Sequence, residues 1–395
     1  MNFKNARLFP RIFAFSLILF GVTTSSVAQS GMLRGFARDA GNGEPLLGVT
    51  VTLTDAAGTL YGASADFEGL YVITRIPAGR YFFRAAFIGY ETRLDTLDIA
   101  EAEILSYNFS LAFSTTELDE LVIEAEREGA GAAAVIAGLQ TIRPKDIDLI
   151  PAPDVSGDLV NYLVTLPGVV SVGDQGGQFF VRGGEPTQNL VLLDGMLVYQ
   201  PFHLIGFYSA FPSSIINVVD VYAGGFGAKF GGRLSSVISV ASRNGNKRRF
   251  EGELSVAPFV SAARIEGPLA RNRVSFMYSG RMSVIEQGIE NLIDTQLPYA
   301  FSDQFGKIHA ILSDNSQISF TGLQTYDRGT IDPIAASDTL DLADQVIWRN
   351  EAFGTRFIML PTDIPVQAEI LLSTSKIENT FGAEDDPAFH SATST

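Results

Sequence analysis

Residues 222–242 read "YAGGFGAKFGGRLSSVISVAS", and the residues after the glycines set the class of the chain. A glycine loop that cradles phosphate brings bare backbone N–H groups up to an anion and then opens a helix. Neither spacing is present here. Lys229 is preceded by Ala228 and followed by Phe230, which fails the P-loop pattern, and Phe230 stands where the third glycine of a dinucleotide fingerprint would fall after Gly225 and Gly227. The continuation "RLSSVISVAS" alternates apolar and polar residues with the period of a strand. The glycines therefore lie between two strands, "INVVDVY" (216–222) and "LSSVISVA" (234–241), where they permit tight turns and close backbone approach.

Composition agrees with a β-rich chain. Among 395 residues there are 38 glycines and 29 phenylalanines, and only 18% are charged, so many turns and more than one domain are expected. A net charge of −16 argues against nucleic acid as a partner. Cysteine is absent, which removes disulfides and thiolate metal sites. His203, His309 and His390 are far apart and form no H-x-x-E or H-x-x-x-H pair, so each reads as a lone structural or surface histidine. No catalytic residue, metal site or cofactor is expected, and a secreted enzyme has the least support. At the N-terminus, Lys4, Arg7 and Arg11 precede the apolar run "IFAFSLILFGV" (12–22), which is followed by "SSVAQS". The run falls short of the ~20 residues of a membrane-spanning helix, so residues 1–29 read as a secretory signal peptide cleaved near Ala28 or Gln29.

Residues 30–112 read as an all-β sandwich. "VTVTLT" (49–54) sets Val49, Val51 and Leu53 against three threonines; "RYFFRAAFIGY" (80–90) aligns Tyr81, Phe83, Ala85 and Phe87; "LSYNFSL" (105–111) aligns Leu105, Tyr107, Phe109 and Leu111. Turn signals "DAGNGEP", "DAAG", "DFEG" and "IPAG" separate about seven short strands. Asp39, Asn42 and Glu44 suggest calcium, but an EF-hand loop from Asp39 would need Glu where Thr50 stands, so a plain turn is the better reading. "GFARDAGNGEPLLGVTVTL" and "ADFEGLYVITRIPAGRYFFRAAFIGYE" resemble the carboxypeptidase regulatory-like domain, a transthyretin-like sandwich placed ahead of outer-membrane receptors in Bacteroidetes-type bacteria. The resemblance implies no peptidase activity.

Residues 113–140 read as a linker. Acidic residues surround a short β-prone core in Asp119, Glu120, Leu121, Val122, Ile123, Glu124 and Ala125, which could add as a strand to a partner's sheet edge or be one stray strand in a linker. Residues 141–247 form a mixed α/β unit. A short helix is expected in "DVSGDLVNYLVTLPG" (154–168), with Val155, Leu159, Tyr162 and Leu163 on one face. Strands are expected after it at "QFFVR", "NLVLLD", "INVVDVY" and "LSSVISVA", interrupted by an aromatic loop over 195–214. This unit resembles the plug domain of TonB-dependent outer-membrane receptors. The resemblance rests on "VRGG" (181–184), "LLDG" (192–195) and "FGGRLSSV" (230–237), in the family's order and at its usual separations. It singles out Arg182, Gly183, Gly184, Asp194, Gly195, Gly231, Gly232 and Arg233. It also implies that Arg182 and Arg233 meet acidic groups on a barrel wall, and that 119–125 is the box that binds a TonB-type energy-transducing protein in the periplasm.

Residues 248–395 alternate over strands of ~10 residues, as a transmembrane barrel with one lipid face and one watery face does. In "RVSFMYSGR" (273–281), Val274, Phe276 and Tyr278 oppose Ser275, Met277 and Ser279. "GKIHAILSDNSQISFTGLQTY" (306–326) is two strands about "SDNS", and "RNEAFGTRFIML" and "VQAEILLSTSK" flank "PTDIP". About six strands are legible, whereas a barrel that holds a plug takes about 22. The final "FHSATST" also lacks an aromatic-ended closing strand, so the expectation is the N-terminal part of a longer receptor. The fold class is thus multi-domain and mainly β: a transthyretin-like sandwich, an α/β plug, then the first strands of an incomplete barrel. The function implied is import of a scarce nutrient across the outer membrane, in contact with its lipid. The alternative is a non-transporting surface or periplasmic binding module that uses the sandwich.

Overall fold

The computed structural model describes residues 30–114, 138–151, 157–171, 178–204, 206, 208–284, 299–330, 345–382 and 387–395. The signal segment 1–29, the segment 119–125 and Val155 lie outside the described residues.

The sandwich has eight strands: β1 (Gly31–Asp39), β2 (Thr50–Thr54), β3 (Leu60–Ser64), β4 (Leu70–Ile76), β5 (Gly79–Ala86), β6 (Arg93–Ile99), β7 (Ile104–Ser106) and β8 (Phe109–Leu111). One sheet runs β3-β2-β5-β6; the other sets β4 on one side of β1, with β7 and β8 parallel to β1 on the other. Val49, Val51, Leu53, Tyr81, Phe83 and Ala85 are buried between the sheets, as the alternation predicts. The run 105–111 is two strands rather than one. Gly35 causes the break: the Tyr107 carbonyl passes where a Cβ of Gly35 would stand, 2.1 Å away, and Asn108 Oδ1 takes the Phe36 N–H at 2.8 Å in place of a ladder bond. The Asp39–Glu44 stretch is a turn, capped by Asp39 Oδ1 accepting from the Gly41 and Asn42 N–H groups.

The plug unit contains β9 (Leu139–Ile142), α1 (Pro144–Ile147), α2 (Leu159–Leu163), β10 (Val169–Ser171), β11 (Phe179–Val181), β12 (Asn189–Leu193), β13 (Met196–Leu197), β14 (Ile216–Tyr222) and β15 (Ser236–Ser242). Its sheet runs β13-β12-β15-β14-β9, with β12 parallel to β15 and the other pairs antiparallel. Asp158 caps α2 by accepting the Val160 N–H at 3.0 Å, and Leu159, Val160 and Leu163 face the core.

The last unit is an antiparallel meander of β16 (Glu251–Val256), β17 (Val260–Ala270), β18 (Val274–Ser283), β19 (Tyr299–Ser313), β20 (Ser316–Thr330), β21 (Gln345–Met359), β22 (Ala368–Gly382) and β23 (Pro387–Ser394). Among the described residues eight strands replace the expected six, because small residues and Pro268 obscure the alternation of β17, and "FHSATS" is itself part of β23. β19 to β22 have 15 residues each, longer than the ~9–11 that cross a bilayer. The sheet is the open wall of an incomplete barrel. One face carries Met277, Phe305, Leu323 and Ala352 into the core of the plug, and the other exposes Phe276, Tyr278, Ile308, Phe320, Phe353 and Leu372 in part or whole. The connections 271–273, 314–315 and 360–367 are short and share one end of the sheet. The sandwich sits on the short-turn end, where Phe36 and Leu70 pack on Ile358 and Leu360.

Candidate functional site at the seam between plug and wall

The "LLDG" stretch builds the first contact. Asp194 (φ 50°) and Gly195 (φ 87°) are the two central residues of the hairpin between β12 and β13, and positive φ at both is what a type I′ turn requires. The turn pushes into the wall. A Cβ on Gly195 would stand 2.7 Å from Leu371 Cδ2, and one on Gly354 would stand 2.6 Å from Met196 Sδ, so both glycines make room for the docking. The Asp194 carboxylate is buried and accepts from the Ser242 N–H (2.8 Å), Ser242 Oγ (2.6 Å), Thr321 Oγ (3.0 Å) and Lys307 Nζ (3.0 Å). Burial pushes this carboxyl up, but Lys307 and the Ser242 hydrogen bonds outweigh it and hold it below the ordinary carboxylate range.

A second cluster gathers groups from five places in the chain. His203, 1% exposed, lies between two wall carboxylates: its Nδ1 is 3.0 Å from Asp327 and its Nε2 3.0 Å from Asp303. Asp303 also receives Arg281 (2.7 Å), and Arg281 reaches back to the plug, to Asp158 at 2.8 Å and to the Ser209 carbonyl. The ring of Phe301 stacks on His203 at 4.1 Å and lies 5.6 Å from the Arg281 guanidinium. Burial alone would lower the histidine's pKa; Asp303 and Asp327 reverse that and push it up to about 10, so the imidazolium donates from both nitrogens near neutral pH. Beside it, Asn350 grips the plug backbone with both ends of its amide, accepting from Gln200 N (3.2 Å) and donating to Gln200 O (2.7 Å).

The sequence motifs are therefore placed together, but their roles differ from expectation. Arg182 (φ 50°) and Gly183 (φ 81°) also form a left-handed turn, bridged by Val181 and Gly184, which leaves Arg182 exposed. Its side chain passes over Gly138, Gly168 and Gly224 and meets no carboxylate among the described residues. Arg233 donates to the Gly232 carbonyl instead of a wall group. Among the described residues neither arginine meets a wall carboxylate, and the seam is made by Asp158, Asp194 and His203. In "FGGRLSSV" the serines make the attachments, Ser235 Oγ to the Val181 carbonyl (2.9 Å) and Ser236 Oγ to Asn189 (2.7 Å). Gly184 supplies the close approach to Ser235, whose Oγ lies 2.3 Å from where its Cβ would be. Gly227, Gly231 and Gly232 face open space, so they serve the turn and not close packing. His203 is no lone histidine; its partners, 100 and 124 residues downstream, left no local signal.

The family model of the CarboxypepD_reg-like domain matches residues 33–123, and that of the TonB-dependent receptor plug domain matches residues 134–237. Among solved structures the chain is similar to a mutant ferric enterobactin receptor from Pseudomonas aeruginosa, at 16% identity and a TM-score of 0.46, covering 66% of this chain and 45% of that one. It is also similar to a siderophore receptor from Acinetobacter baumannii (14%, TM-score 0.40, 62% and 45%). The alcaligin outer-membrane receptor from Bordetella pertussis is a third (13%, TM-score 0.45, 63% and 40%). The chain thus spans less than half the length of these receptors. No curated protein matches.

Proposed function

We propose, for a chain that belongs to the TonB-dependent receptors and carries their plug domain behind a carboxypeptidase regulatory-like domain, that it imports a scarce nutrient across the outer membrane by energy-coupled movement of the plug. The observation that supports this most is the seam. Buried ion pairs add little to net stability but tolerate little change of geometry, and removing one partner leaves an uncompensated charge. Such a contact holds one seating of the plug and gives way as a unit. The wall's apolar outer face suits lipid, and the short turns under the sandwich, of the kind that mark the periplasmic end of bacterial barrels, support a periplasmic place for it.

On this reading residues 119–125 add as a strand to a TonB-type protein, and pulling there draws the plug from the wall. No bond in the nutrient is broken, so no residue is given a catalytic role. The relatives named for ferric enterobactin and alcaligin make iron chelates one substrate class to test beside vitamins, glycans and peptides. Deleting 119–125 from the full-length receptor should abolish uptake of the nutrient that supports growth while leaving its binding intact; undiminished uptake would refute the coupling role.

A further inference from the structure

The outward face of the wall is not evenly filled. β19 and β20 pair without a bulge from Tyr299 to Ile311, and in the middle of that run Gly306 stands opposite Gly322. Both lie on the face that carries Ile308 and Phe320, away from the plug. Neither has a left-handed φ, and a Cβ on Gly306 would meet nothing within 4 Å. A glycine inside a strand weakens it, and where neither a turn nor a bulge requires one it marks a place where something else comes close to the backbone. The two glycines floor a groove of about 840 Å³ that crosses the sheet from β17 to β22, walled by Phe276, Ile308, Phe320, Phe353 and Leu372.

The groove is apolar toward the short turns and bordered by polar groups on the other side. The next row of the same face runs through the cross-strand neighbours Gln304, Gln324, Glu351 and Lys376. Gln304 and Gln324 are exposed, and Gln324 Nε2 donates to Glu351 at 3.3 Å. The row after it sets Tyr326 beside Arg349, whose guanidinium lies 5.3 Å from the ring. Amide, ammonium and carboxylate groups directly above a hydrocarbon-lined groove suit an amphiphile. A protein strand is a poor occupant, because β19, β20 and β21 are each paired on both sides and offer no free backbone edge. We propose that the groove seats one acyl chain of a membrane lipid, with the lipid's ester and headgroup at the row of Gln304, Gln324 and Lys376. This rests on the reading of the outward face as lipid-facing. Elsewhere on that face a chain lies across the side-chain tips; here it lies between Phe320 and Phe353, buries more of its surface and stays longer.

Photolabelling locates the chain without knowledge of the nutrient. The full-length receptor is placed in nanodiscs of phosphatidylethanolamine doped with a phosphatidylglycerol that carries a diazirine half-way along one acyl chain, and the labelled peptides are read by mass spectrometry. Peptides of β19 to β22 that line the groove should take up about fivefold more label than β16, whose Leu254 and Val256 are exposed on the same face. Gly306→Leu fills the groove from its floor, where there is open space, and should bring its labelling down to the level of β16. Val256→Leu, on the same face but outside the groove, should change nothing. Even labelling over the whole face, or groove labelling that survives Gly306→Leu, would overturn the site while leaving the wall in lipid. Groove peptides protected while β16 is labelled would show a protein seated there and overturn it equally. An outward face with no label at all would overturn the lipid-facing reading as well. The wild-type pattern is decisive by itself, so the test stands even where Gly306→Leu fails to fold.

Discussion

At Gly195 a single hydrogen in place of a methyl group lets the plug reach the wall. Its φ of 87° and the 2.7 Å approach of Leu371 Cδ2 are both hostile to any side chain. Gly195→Ala should therefore cost about 1–2 kcal/mol from the backbone alone. Gly227→Ala, on the exposed hairpin with nothing within 4 Å, should stay within about 0.5 kcal/mol of wild type. Melting of the purified receptor in detergent compares them, and equal losses would contradict the assignment of the two glycines. Single residues mark how far the sequence carries. "LLDG" is legible as a turn because Asp-Gly favours positive φ, but that Asp194 meets Lys307 is a fact of tertiary structure. Arg182 and Arg233 stand beside motif glycines, but among the described residues neither meets a wall carboxylate.

The elements are legible wherever one face is apolar and the other polar. β18, β20 and β22 stand out on that ground, whereas β17 carries Ala262, Ala263, Gly267 and Pro268, and β9 is a four-residue edge with a single buried side chain. The loop between β13 and β14 is the element least legible. It reads only as an aromatic loop, and it buries Phe202, Tyr208 and Phe211 and delivers His203 to β19 and β20. A histidine whose pKa rises from 6.5 to about 10 on folding contributes stability fully present below pH 6.5 and lost as pH climbs toward 10. Lys247, pushed down to about 8 by burial, works in the opposite sense above pH 8, so the histidine is isolated by difference. The gap in melting temperature between wild type and His203→Gln should narrow steadily from pH 6.5 to 10; a constant gap would show that His203 is not held as an imidazolium.

Across the whole molecule, three bodies are joined by charge as well as by apolar packing. Sandwich to wall is Glu68 with Arg356, sandwich to plug is Glu44 beside Arg243, and plug to wall is Asp194 with Lys307 and His203 with its two aspartates. The order of the bodies is readable from composition and turn spacing, but their docking is not, because each pair unites residues a hundred or more positions apart. A receptor that works by unseating its plug must fail when plug and wall are tied. Gln200→Cys and Asn350→Cys place two thiols where the Asn350 amide now grips the Gln200 backbone at 2.7 Å. In the full-length receptor, with the nutrient that supports growth, the oxidised form should bind at wild-type level and import nothing, and reduction should restore import. Import by the oxidised form at the wild-type rate, with the disulfide confirmed, would contradict plug movement as the basis of transport.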